Sequence, residues 1–590
     1  MIIEVKVNDI AVNIKEGASI IEAAELAGVR IPTLCYHPDV PPSGACGICV
    51  VRMPNGRLVR ACNTKVKAGT YYRTHDLDIN IIRKTILEEI LAEHPQDCLG
   101  CRRSGSCELQ NLAAELNIRG SVLNPAVQEN FVDNSSPIVF DTRYCIHCNR
   151  CVQICSKVQN VHALELVGAA DKSRVRPVDG LTLAEGPCIK CGQCAAHCPV
   201  NAIKENEDIN ELADQLALSR KLMTVQIAPA VRVSLGEAFG LPVGTAVTGK
   251  IYAALRRLGF KAIFDTVFGA DLTIMEEAQE LLKRLDSGEQ LPLITTCCPS
   301  WVEFMERFHG DMIEHFSSCK SPMIMTGLLT KSYYAEKAGL KAGDIYHVAV
   351  MPCTSKKEEK DRPELVHDYK DVDMVITTRE LARLIKESGI DFLSLPDEES
   401  DDLLGTYSGA GVIFGTSGGV MEAALRTAAY LAGTPLPKDK LEFTALRGMD
   451  GIKETTLQIG RHEVKVAVTH GTHNVGIVLE KIRQAKAEGL PPPYHFIEVM
   501  ACKGGCISGG GQIYSLTRNT REKRAAGLYG EDRGKEVRAS YENPAIQHLY
   551  QNFLGGFGSE KAHKLLHTYY SPRPYVSPHQ NNTSEEELPY

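Results

Sequence analysis

The spacing of the cysteines is the feature that most constrains this chain. Eight of its 21 cysteines form two copies of one pattern, CxxCxxCxxxC, at 145–155 and 188–198. Fifteen of the 21 lie in the first 198 of 590 residues, and an odd total excludes a fully paired set of disulfides. A chain of this length buries enough apolar surface to fold without covalent cross-links. The cysteines therefore indicate metal binding or redox chemistry.

The doubled pattern predicts two [4Fe–4S] clusters. In bacterial two-cluster ferredoxins the fourth cysteine of each such run binds the other cluster. The ligands predicted for the first cluster are Cys145, Cys148, Cys151 and Cys198. The ligands predicted for the second are Cys155, Cys188, Cys191 and Cys194. A pair of zinc sites is the alternative, but zinc favours two separated CxxC pairs, so the spacing indicates iron–sulfur clusters.

Four earlier cysteines predict a [2Fe–2S] cluster. Cys35, Cys46, Cys49 and Cys62 surround a loop of small residues, PPSGACGIC, that lets backbone N–H groups approach the sulfur atoms. The first gap is longer than the plant-type C-x4-C-x2-C spacing. A structural zinc knuckle is the alternative, and the strand–turn–strand–helix pattern around the loop favours the ferredoxin interpretation.

A third group combines one histidine with three cysteines. Its members are His94, Cys98, Cys101 and Cys107. Three cysteines and a histidine also form a legitimate zinc site. The pattern is similar to the His-ligated [4Fe–4S] cluster in the large iron–sulfur subunit of NADH dehydrogenases. A neutral imidazole in place of a thiolate removes one negative charge, which is expected to raise the reduction potential.

The hydrophobic pattern changes along the chain. Strands at 2–7 and after Asn8-Asp9, with a helix at 20–27 capped by Ser19, predict a small β-grasp-like start. A helix is predicted at 81–92 with Asn80 as its N-cap. Buried-type strands at 223–229, 291–296, 346–352 and 495–500 alternate with helices at 249–258, 275–285 and 378–388. That alternation predicts an α/β domain with a largely parallel sheet.

These patterns predict a multidomain protein of the α+β and α/β classes. The expected order is a β-grasp [2Fe–2S] ferredoxin domain, a His/Cys cluster domain, a two-cluster ferredoxin domain, and a large α/β domain with a C-terminal extension and a polar tail. The predicted ranges are 1–78, 79–125, 126–210, 220–535, 536–570 and a disordered 571–590.

Charge and hydropathy limit the expected cellular location of the protein and the classes of partner that it can bind. A net charge of −8 gives no support to nucleic-acid binding. No secretory signal, twin-arginine leader or apolar run of about 18 residues is visible. A cytoplasmic location, where thiols stay reduced, is therefore expected, without a membrane partner.

Three segments carry the remaining chemistry. They read TTCCPSW at 295–301, MPCTSKKEE at 351–359 and EVMACKGGC at 498–506, the last continuing to GGG at 509–511. Each follows or begins in a predicted strand, and ligands bind at the carboxyl ends of strands in α/β sheets. Isolated buried cysteines are usually inert. Several at Gly- and Pro-flanked strand ends indicate a metal site inside the domain.

These segments resemble the [FeFe]-hydrogenase signatures TSCCPxW, MPCxxKxxE and ExMACxxGCxxGGG. The front third resembles the accessory-cluster module of the larger family members. The resemblance implies an H-cluster, which is a [4Fe–4S] cubane joined through one cysteine to a di-iron unit with CO, CN⁻ and a bridging azadithiolate. It implies cubane ligands at Cys298, Cys353, Cys502 and Cys506, of which Cys506 also bridges to the di-iron unit.

The resemblance also implies roles around the di-iron unit. Lys356 would hydrogen-bond a cyanide, and Met351 and Met500 would pack against the unit as soft apolar neighbours. Pro229 and Ala230 would also border it. Ala230 stands where many monomeric members have a serine, and alanine resembles the multisubunit branch.

A proton path is implied through the helix at 275–285. Glu277, Glu280 and Arg284 share one face by their spacing, which by itself is usual for a solvated charged stripe. The stretch DLTIMEEAQELLKR resembles the proton-channel helix of the family. On that basis Cys297, Glu280, Ser317 and Glu277 form the relay, with Arg284 near its mouth. A buried glutamate with a raised pKa would be a suitable carrier.

Two departures from the signatures are mild, and one cysteine is unassigned. Thr296 stands for the usual serine, and Ile513 stands where proline is common. Cys319 matches no ligand position and is interpreted as a packed thiol.

The resemblance implies a catalytic subunit that interconverts H₂ with protons and electrons. Four accessory clusters would carry electrons to or from flavin- and Fe–S-containing, NAD(P)H-linked subunits of a hetero-oligomer in an anaerobic cell. Ferredoxin would be a further partner if electrons are bifurcated. The first alternative is a stand-alone, ferredoxin-dependent hydrogenase. The more distant alternative is a non-catalytic relative, either an H₂ sensor or an Fe–S assembly factor.

Overall fold

The computed structural model describes residues 1–120, 130–168, 173–366, 368–514 and 517–577. The predicted boundary at 125–126 and residues 578–590 of the predicted tail lie outside these ranges. The chain forms two compact units. The first consists of Met1–Val158, His162–Gly186 and His197–Lys204, and the second of Gln159–Val161, Pro187–Ala196 and Glu205–Tyr590.

Short strands and helices follow each other along the whole described chain. The strands are β1 (Ile2–Val7), β2 (Ile10–Lys15), β3 (Val50–Arg52), β4 (Leu58–Arg60), β5 (Tyr71–Tyr72), β6 (Val132–Asp133), β7 (Ile138–Asp141), β8 (Leu164–Val167), β9 (Arg174–Pro177), β10 (Ile203–Glu205), β11 (Leu222–Ile227), β12 (Ala262–Asp265), β13 (Leu293–Ile294), β14 (Ile345–Met351), β15 (Met374–Thr377), β16 (Ile452–Ile459), β17 (His462–His470) and β18 (Phe496–Met500). The α-helices are α1 (Ile20–Leu26), α2 (Leu77–Glu93), α3 (Glu108–Glu115), α4 (Arg150–Gln153), α5 (Gln193–His197), α6 (Ile209–Leu218), α7 (Thr248–Leu258), α8 (Thr266–Ser287), α9 (Pro299–Phe308), α10 (Pro322–Leu329), α11 (Ala335–Ala338), α12 (Lys356–Glu359), α13 (Thr378–Glu387), α14 (Asp402–Gly405), α15 (Gly409–Val412), α16 (Gly419–Leu431), α17 (Thr472–Ala487), α18 (Arg518–Gly534), α19 (Pro544–Leu549) and α20 (Glu560–Leu566).

The first unit begins with a small three-stranded sheet. Its order is β2-β1-β5, with β1 antiparallel to β2 and parallel to β5. Helix α1 packs on it and starts with a capping box, in which Ser19 and Glu22 satisfy each other's backbone N–H groups. The predicted Ser19 cap is therefore confirmed.

The start predicted for α2 was wrong. The helix begins at Leu77, and the Asp76 carboxylate caps it by accepting a hydrogen bond from the Ile79 backbone N–H. The expected cap, Asn80, lies inside the helix. Aspartate and asparagine are similarly good caps, so cap preference does not distinguish the two starts. The earlier start places Ile79 in the first helical turn, where its side chain is buried.

The second unit contains two four-stranded sheets, where the sequence predicted one largely parallel sheet. The order β12-β11-β14-β15 is parallel throughout. The order β13-β18-β17-β16 is parallel except for the final β17–β16 pair. Gly460, with a φ of +55°, opens the two-residue turn that makes this pair a hairpin. This hairpin turn at Gly460 was not predicted from the sequence.

Helix α8 is longer than predicted. It starts at Thr266, where the Asp265 side chain accepts from the Val267 N–H and also pairs with the Arg232 guanidinium at 2.8 Å. The residues from Thr266 to Ala278 are all buried. A helix surrounded on every side has no polar stripe, and the periodicity therefore revealed only its second half.

The C-terminal segment packs against α8. One apolar cluster joins Phe268, Leu272 and Met275 of α8 with Leu549 and Leu566 of α19 and α20. The chain end therefore covers one side of this helix. Among the described residues, the helices are all too short or too polar to cross a bilayer.

Candidate metal centre and proton path

The three cysteine-bearing segments meet at the carboxyl ends of three strands of the second unit. They follow β13, β14 and β18. A cavity of about 80 Å³ lies there, lined almost entirely by apolar atoms. Ten predicted site residues line it: Pro229, Ala230, Cys297, Cys298, Met351, Cys353, Lys356, Met500, Cys502 and Cys506. The predicted residues therefore meet in one cavity at the strand ends, where the rule for α/β sheets expects a ligand.

Four thiols in this cavity form a donor set suited to an iron–sulfur cubane. Burial raises the pKa of Cys353 to about 11 and raises the pKa of Cys298, Cys502 and Cys506 as well. The thiolates of this set also raise each other's pKa. Cluster ligands must be thiolates. A cationic iron core supplies the positive charge that four crowded, buried thiolates need, so the set fits the group.

Lys356 places a cation at the wall of the cavity. Its ammonium group donates to the Glu359 carboxylate at 2.6 Å and to the Cys297 carbonyl at 3.2 Å. Although burial alone would lower it, the Glu359 carboxylate holds the pKa of Lys356 above its usual value. A buried ammonium with a free donor direction suits an anionic ligand such as cyanide.

The Gln512 amide joins two segments that line the cavity. Its Nε2 donates to the Ala230 carbonyl at 3.0 Å and to the Cys506 carbonyl at 3.3 Å, and its Oε1 accepts from the Ser234 hydroxyl at 2.5 Å. The side chain therefore ties the segment around Ala230 to the segment that carries Cys506.

The predicted relay residues are gathered beside the cavity. Both carboxylate oxygens of Glu277 are buried and have no hydrogen-bond partner within the described residues. Burial raises the pKa of Glu277 to about 8, with a further rise from the Glu280 carboxylate. Burial and the Glu277 carboxylate raise the pKa of Cys297. A neutral carboxyl group next to a neutral thiol is suited to passing a proton.

Glu280 lies at the outer end of this group. Its Oε2 accepts from the Ser317 hydroxyl at 3.2 Å, and its Oε1 pairs with the Arg284 guanidinium at 2.6 Å. Arg284 also donates to the carbonyls of Gln290, His315 and Phe316. The guanidinium is therefore held in place as a fixed cation.

Comparison with known proteins agrees with this arrangement. The C-terminal domain of the iron-only hydrogenase large subunit matches residues 221–510, and the iron hydrogenase small subunit matches 518–573. The NADP-reducing hydrogenase subunit HndD of Solidesulfovibrio fructosivorans is 45% identical, over 95% of this chain and 97% of its own length. The chain belongs to the [FeFe]-hydrogenase family. It is an oxidoreductase that acts on H₂.

Other relatives of this hydrogenase extend the comparison. Iron hydrogenase 1 of Clostridium pasteurianum is 38% identical, over 96% of this chain and 99% of its own length. The solved apo [FeFe]-hydrogenase HydA1 of Chlamydomonas reinhardtii, a variant, is 41% identical. It superposes with a TM-score of 0.56 and covers 62% of this chain and 99% of its own.

The front third of the hydrogenase matches three iron–sulfur domains. A 2Fe-2S cluster-binding domain matches residues 2–76, the NADH-ubiquinone oxidoreductase-G iron–sulfur binding region matches 83–121, and a 4Fe-4S dicluster domain matches 144–202. The predicted presence of [2Fe–2S] and [4Fe–4S] binding domains ahead of the hydrogenase domain is therefore confirmed, as is the mixed α/β fold.

The first unit gathers the four cysteines of the predicted [2Fe–2S] site. Cys35 interacts with both Cys46 and Cys62, and Cys49 interacts with Cys62. All 21 cysteines of the chain are free thiols, so no disulfide competes with cluster binding.

The His94 imidazole fits its predicted role as a cluster ligand. Its Nδ1 is buried without a hydrogen-bond partner in the described part of the chain. Burial lowers the pKa of His94 to about 4, so the ring is neutral at physiological pH. An unpaired nitrogen on a neutral ring is what a metal ion requires. Of the three cysteines assigned with it, Cys107 is buried and Cys98 is exposed.

The doubled run divides between the two units. In the first unit, Cys198 raises the pKa of Cys145 and Cys148, which places it near them as the crossed ligand pattern predicts. Cys155 belongs to the first unit and Cys188, Cys191 and Cys194 to the second. Their joint assignment to one cluster stays a prediction.

Gln193 is a site residue that the sequence reading missed. Within the second unit its amide donates to the Cys502 sulfur at 3.3 Å and to the Ser508 carbonyl at 2.9 Å. It lies two residues after Cys191, whose thiolate raises the pKa of Cys502. The loop that carries three predicted ligands of an accessory cluster therefore reaches the cubane site. Its position inside the CxxCxxC run was a signal that could have been used.

Proposed function

We propose that this hydrogenase catalyses reversible H₂ oxidation and proton reduction as the catalytic subunit of a multisubunit, NAD(P)H-linked enzyme. The observation that carries the proposal is the single cavity that brings four buried thiols, Cys297 and Lys356 together. An H-cluster bound there supplies the iron at which protons and electrons combine. Cys298, Cys353, Cys502 and Cys506 would hold its cubane.

The side chains around the thiols complete the proposed site. Lys356 would hold a cyanide ligand, while Met351, Met500, Pro229 and Ala230 keep water out of the cavity. Exclusion of water strengthens each electrostatic contact inside it. Cys297 would exchange the proton, and Glu277 would carry it to Glu280 by way of Ser317, with Arg284 at the outer end.

Electrons would travel through one [2Fe–2S] and three accessory [4Fe–4S] clusters. The contact of Gln193 with Cys502 supports an exit from the cubane site toward the cluster bound by Cys191. The NADP-reducing relative and the match to the NADH-ubiquinone oxidoreductase-G region support flavin- and Fe–S-containing partner subunits. In the bifurcating form of this proposal, ferredoxin would exchange electrons with the complex as well as the nicotinamide. So many cluster thiols suit a reducing cytoplasm.

The test is purification of the native complex followed by an H₂ assay with NAD⁺, NADP⁺ and ferredoxin. Infrared bands of iron-bound CO and CN⁻ and coupled reduction of a nicotinamide are expected. A monomer that reacts with ferredoxin alone would support the stand-alone enzyme instead. The partial relatives named cytosolic iron–sulfur assembly component 3, 33% identical over 65% of this chain for the Pongo abelii protein, represent the non-catalytic alternative. Matured protein without CO and CN⁻ bands and without H₂ turnover would support that alternative.

A matched pair of variants tests the cubane ligands. Cys506→Ser is expected to lower the iron content and abolish the CO and CN⁻ bands, because serine is a poor ligand for the cubane. Cys319→Ala removes a buried thiol of the same unit that is not a proposed ligand, and it should keep the iron content. Equal iron content in both variants would contradict the assignment of Cys506.

A further inference from the structure

The proton path ends at a residue that cannot release a proton. Arg284 is 8% exposed, pairs with Glu280, and donates to three backbone carbonyls. A guanidinium is not deprotonated in proteins. It stabilises the Glu280 carboxylate, whose side chain is 17% exposed, but it cannot itself pass on a proton that reaches Glu280.

The C-terminal extension brings such an acceptor to the same carboxylate. One side-chain ligand atom from each of Glu280, Cys319 and His567 lies within 4.8 Å of the other two. A gap of that size is bridged by a single water molecule or hydroxyl group. An imidazole ring can accept a proton at one nitrogen while the other nitrogen carries one.

The backbone holds His567 in this position. Residues Cys319 and His567 form an antiparallel bridge. The Thr568 N–H donates to the Ser318 carbonyl at 2.8 Å, and the Lys320 N–H donates to the Leu566 carbonyl at 2.8 Å. The extension therefore adds a short strand-like segment beside the loop that carries the relay serine.

Both ring nitrogens of His567 have partners suited to proton transfer. Nδ1 lies 2.8 Å from the Ser318 hydroxyl, and Nε2 lies 3.0 Å from the Glu276 carboxylate. The backbone N–H of Ser318 also donates to Glu280 at 3.3 Å, so this serine touches both ends of the step. With the Nε2 proton directed at Glu276, Nδ1 is left to accept a proton.

Further groups surround the ring. Glu276 precedes Glu280 by one turn of α8, and the Tyr550 hydroxyl donates to it. Cys319 borders the ring from the loop, and burial and the nearby carboxylates raise the pKa of its thiol. On the outer side the exposed His563 stacks on His567, with ring centroids 4.4 Å apart. The His567 side chain is 8% exposed, against 3% for Glu276, and the exposed His563 is its neighbour on the solvent side.

We propose that His567 of the C-terminal extension is the outlet of the proton relay, receiving the proton from Glu280 and passing it to solvent on the side of His563. In the direction of H₂ oxidation, the proton leaves the Glu280 carboxyl group and binds Nδ1 of His567 through one bridging water. Glu280 then remains as a carboxylate paired with Arg284. The imidazolium, stabilised by Glu276, loses its proton to solvent. Proton reduction uses the same steps in reverse. The inference rests on the proposed function.

The test uses His567→Ala and His567→Gln in the fully matured protein, with a dye as electron acceptor. Each should lower kcat by roughly tenfold, since a positioned proton carrier contributes at least this much, and leave the KM for H₂ unchanged. Added imidazole should restore the rate of His567→Ala in a concentration-dependent way, because it diffuses into the vacated space. The matched control is His548→Gln, an exposed histidine on α19, which should keep the rate of the unchanged protein.

Three measurements separate this inference from other causes. CO and CN⁻ infrared bands show that the variants contain the cluster, and hydrogen–deuterium exchange at 566–568 shows that the extension stays docked. A fully loaded His567→Ala with an undiminished rate would overturn the inference, as would a lowered rate that imidazole leaves unchanged. If the alanine variant fails to mature, an undiminished rate in His567→Gln, which retains hydrogen-bonding capacity, overturns it. Absence of turnover in the unchanged protein would instead contradict the proposed function.

Discussion

The buried carboxyl group of Glu277 makes the free energy of unfolding depend on pH. Burial raises its pKa from the usual 4.5 to about 8, so the folded chain holds a proton that the unfolded chain loses. The unfolded state therefore binds fewer protons across this range, and the free energy of unfolding falls as pH rises from 4.5 to 8. The slope is about 1.4 kcal/mol per pH unit. Glutamine has the same size as glutamate but does not titrate. The free energy of unfolding of Glu277→Gln therefore does not fall with pH in this way.

The difference between the two proteins follows from that slope. Between about pH 5 and pH 7 the unchanged protein loses roughly 2.5 kcal/mol that the glutamine variant keeps. For a domain of a few hundred residues, each kcal/mol moves the thermal midpoint by roughly 1–2 °C. The glutamine variant should therefore gain roughly 3 °C relative to the unchanged protein over this interval. Any constant cost of burying the amide cancels in this comparison.

Scanning calorimetry of cluster-loaded protein at one scan rate measures this gain. Glu289→Gln, at an exposed position just beyond α8, is the matched control and should follow the unchanged protein. Infrared spectra should show a protonated carboxyl band near neutral pH that is missing from Glu277→Gln. Parallel midpoints for Glu277→Gln and the unchanged protein would refute a raised pKa. The same variant should also lose most of its H₂ turnover, because an amide does not carry the proton.

Two further substitutions test the surroundings of the site. Gln193→Leu removes the hydrogen bond to the Cys502 sulfur, which is worth about 1 kcal/mol. The reduction potential of the cubane should therefore fall by roughly 40 mV, measured by a potentiometric titration followed by electron paramagnetic resonance. An unchanged potential would contradict the contact. Asp265→Ala leaves the Arg232 guanidinium buried without its partner and should cost about 3–5 kcal/mol of stability in thermal denaturation. The matched control Asp286→Ala removes an exposed ion pair with Arg461 and should cost far less stability. Equal costs for the two variants would contradict the burial argument.

The sequence predicted the cluster domains well because their chemistry is local. Cysteines two or three residues apart, as at Cys145 and Cys148, stay close in any compact loop, so spacing alone names the cluster type. The strand-end rule likewise brought Cys298, Cys353 and Cys502 into one cavity. The roles of Cys297 and Glu277 were accessible only through resemblance. An isolated cysteine and a charged helical stripe each have a more common structural meaning.

The features that the sequence did not reveal depend on distant contacts or on complete burial. Gln193 meets Cys502 across 309 positions, and His567 meets Glu276 across 291, so no local pattern marks either residue. The first half of α8 lacks an amphipathic stripe because neighbours surround it. The antiparallel pairing of β16 with β17 likewise depends on a single turn, the hairpin at Gly460.

The C-terminal extension explains how a helix with three acidic side chains in its middle remains stable inside the protein. Glu276 is 3% exposed, and the Tyr550 hydroxyl and the His567 ring, both from the extension, satisfy its carboxylate. A buried charge without such partners costs several kcal/mol. Docking the extension by its apolar residues on α8 therefore satisfies the Glu276 carboxylate and, at the same place, positions the His567 ring beside Glu280. Because both contacts depend on the same docked segment, a variant that releases the extension should lose them together.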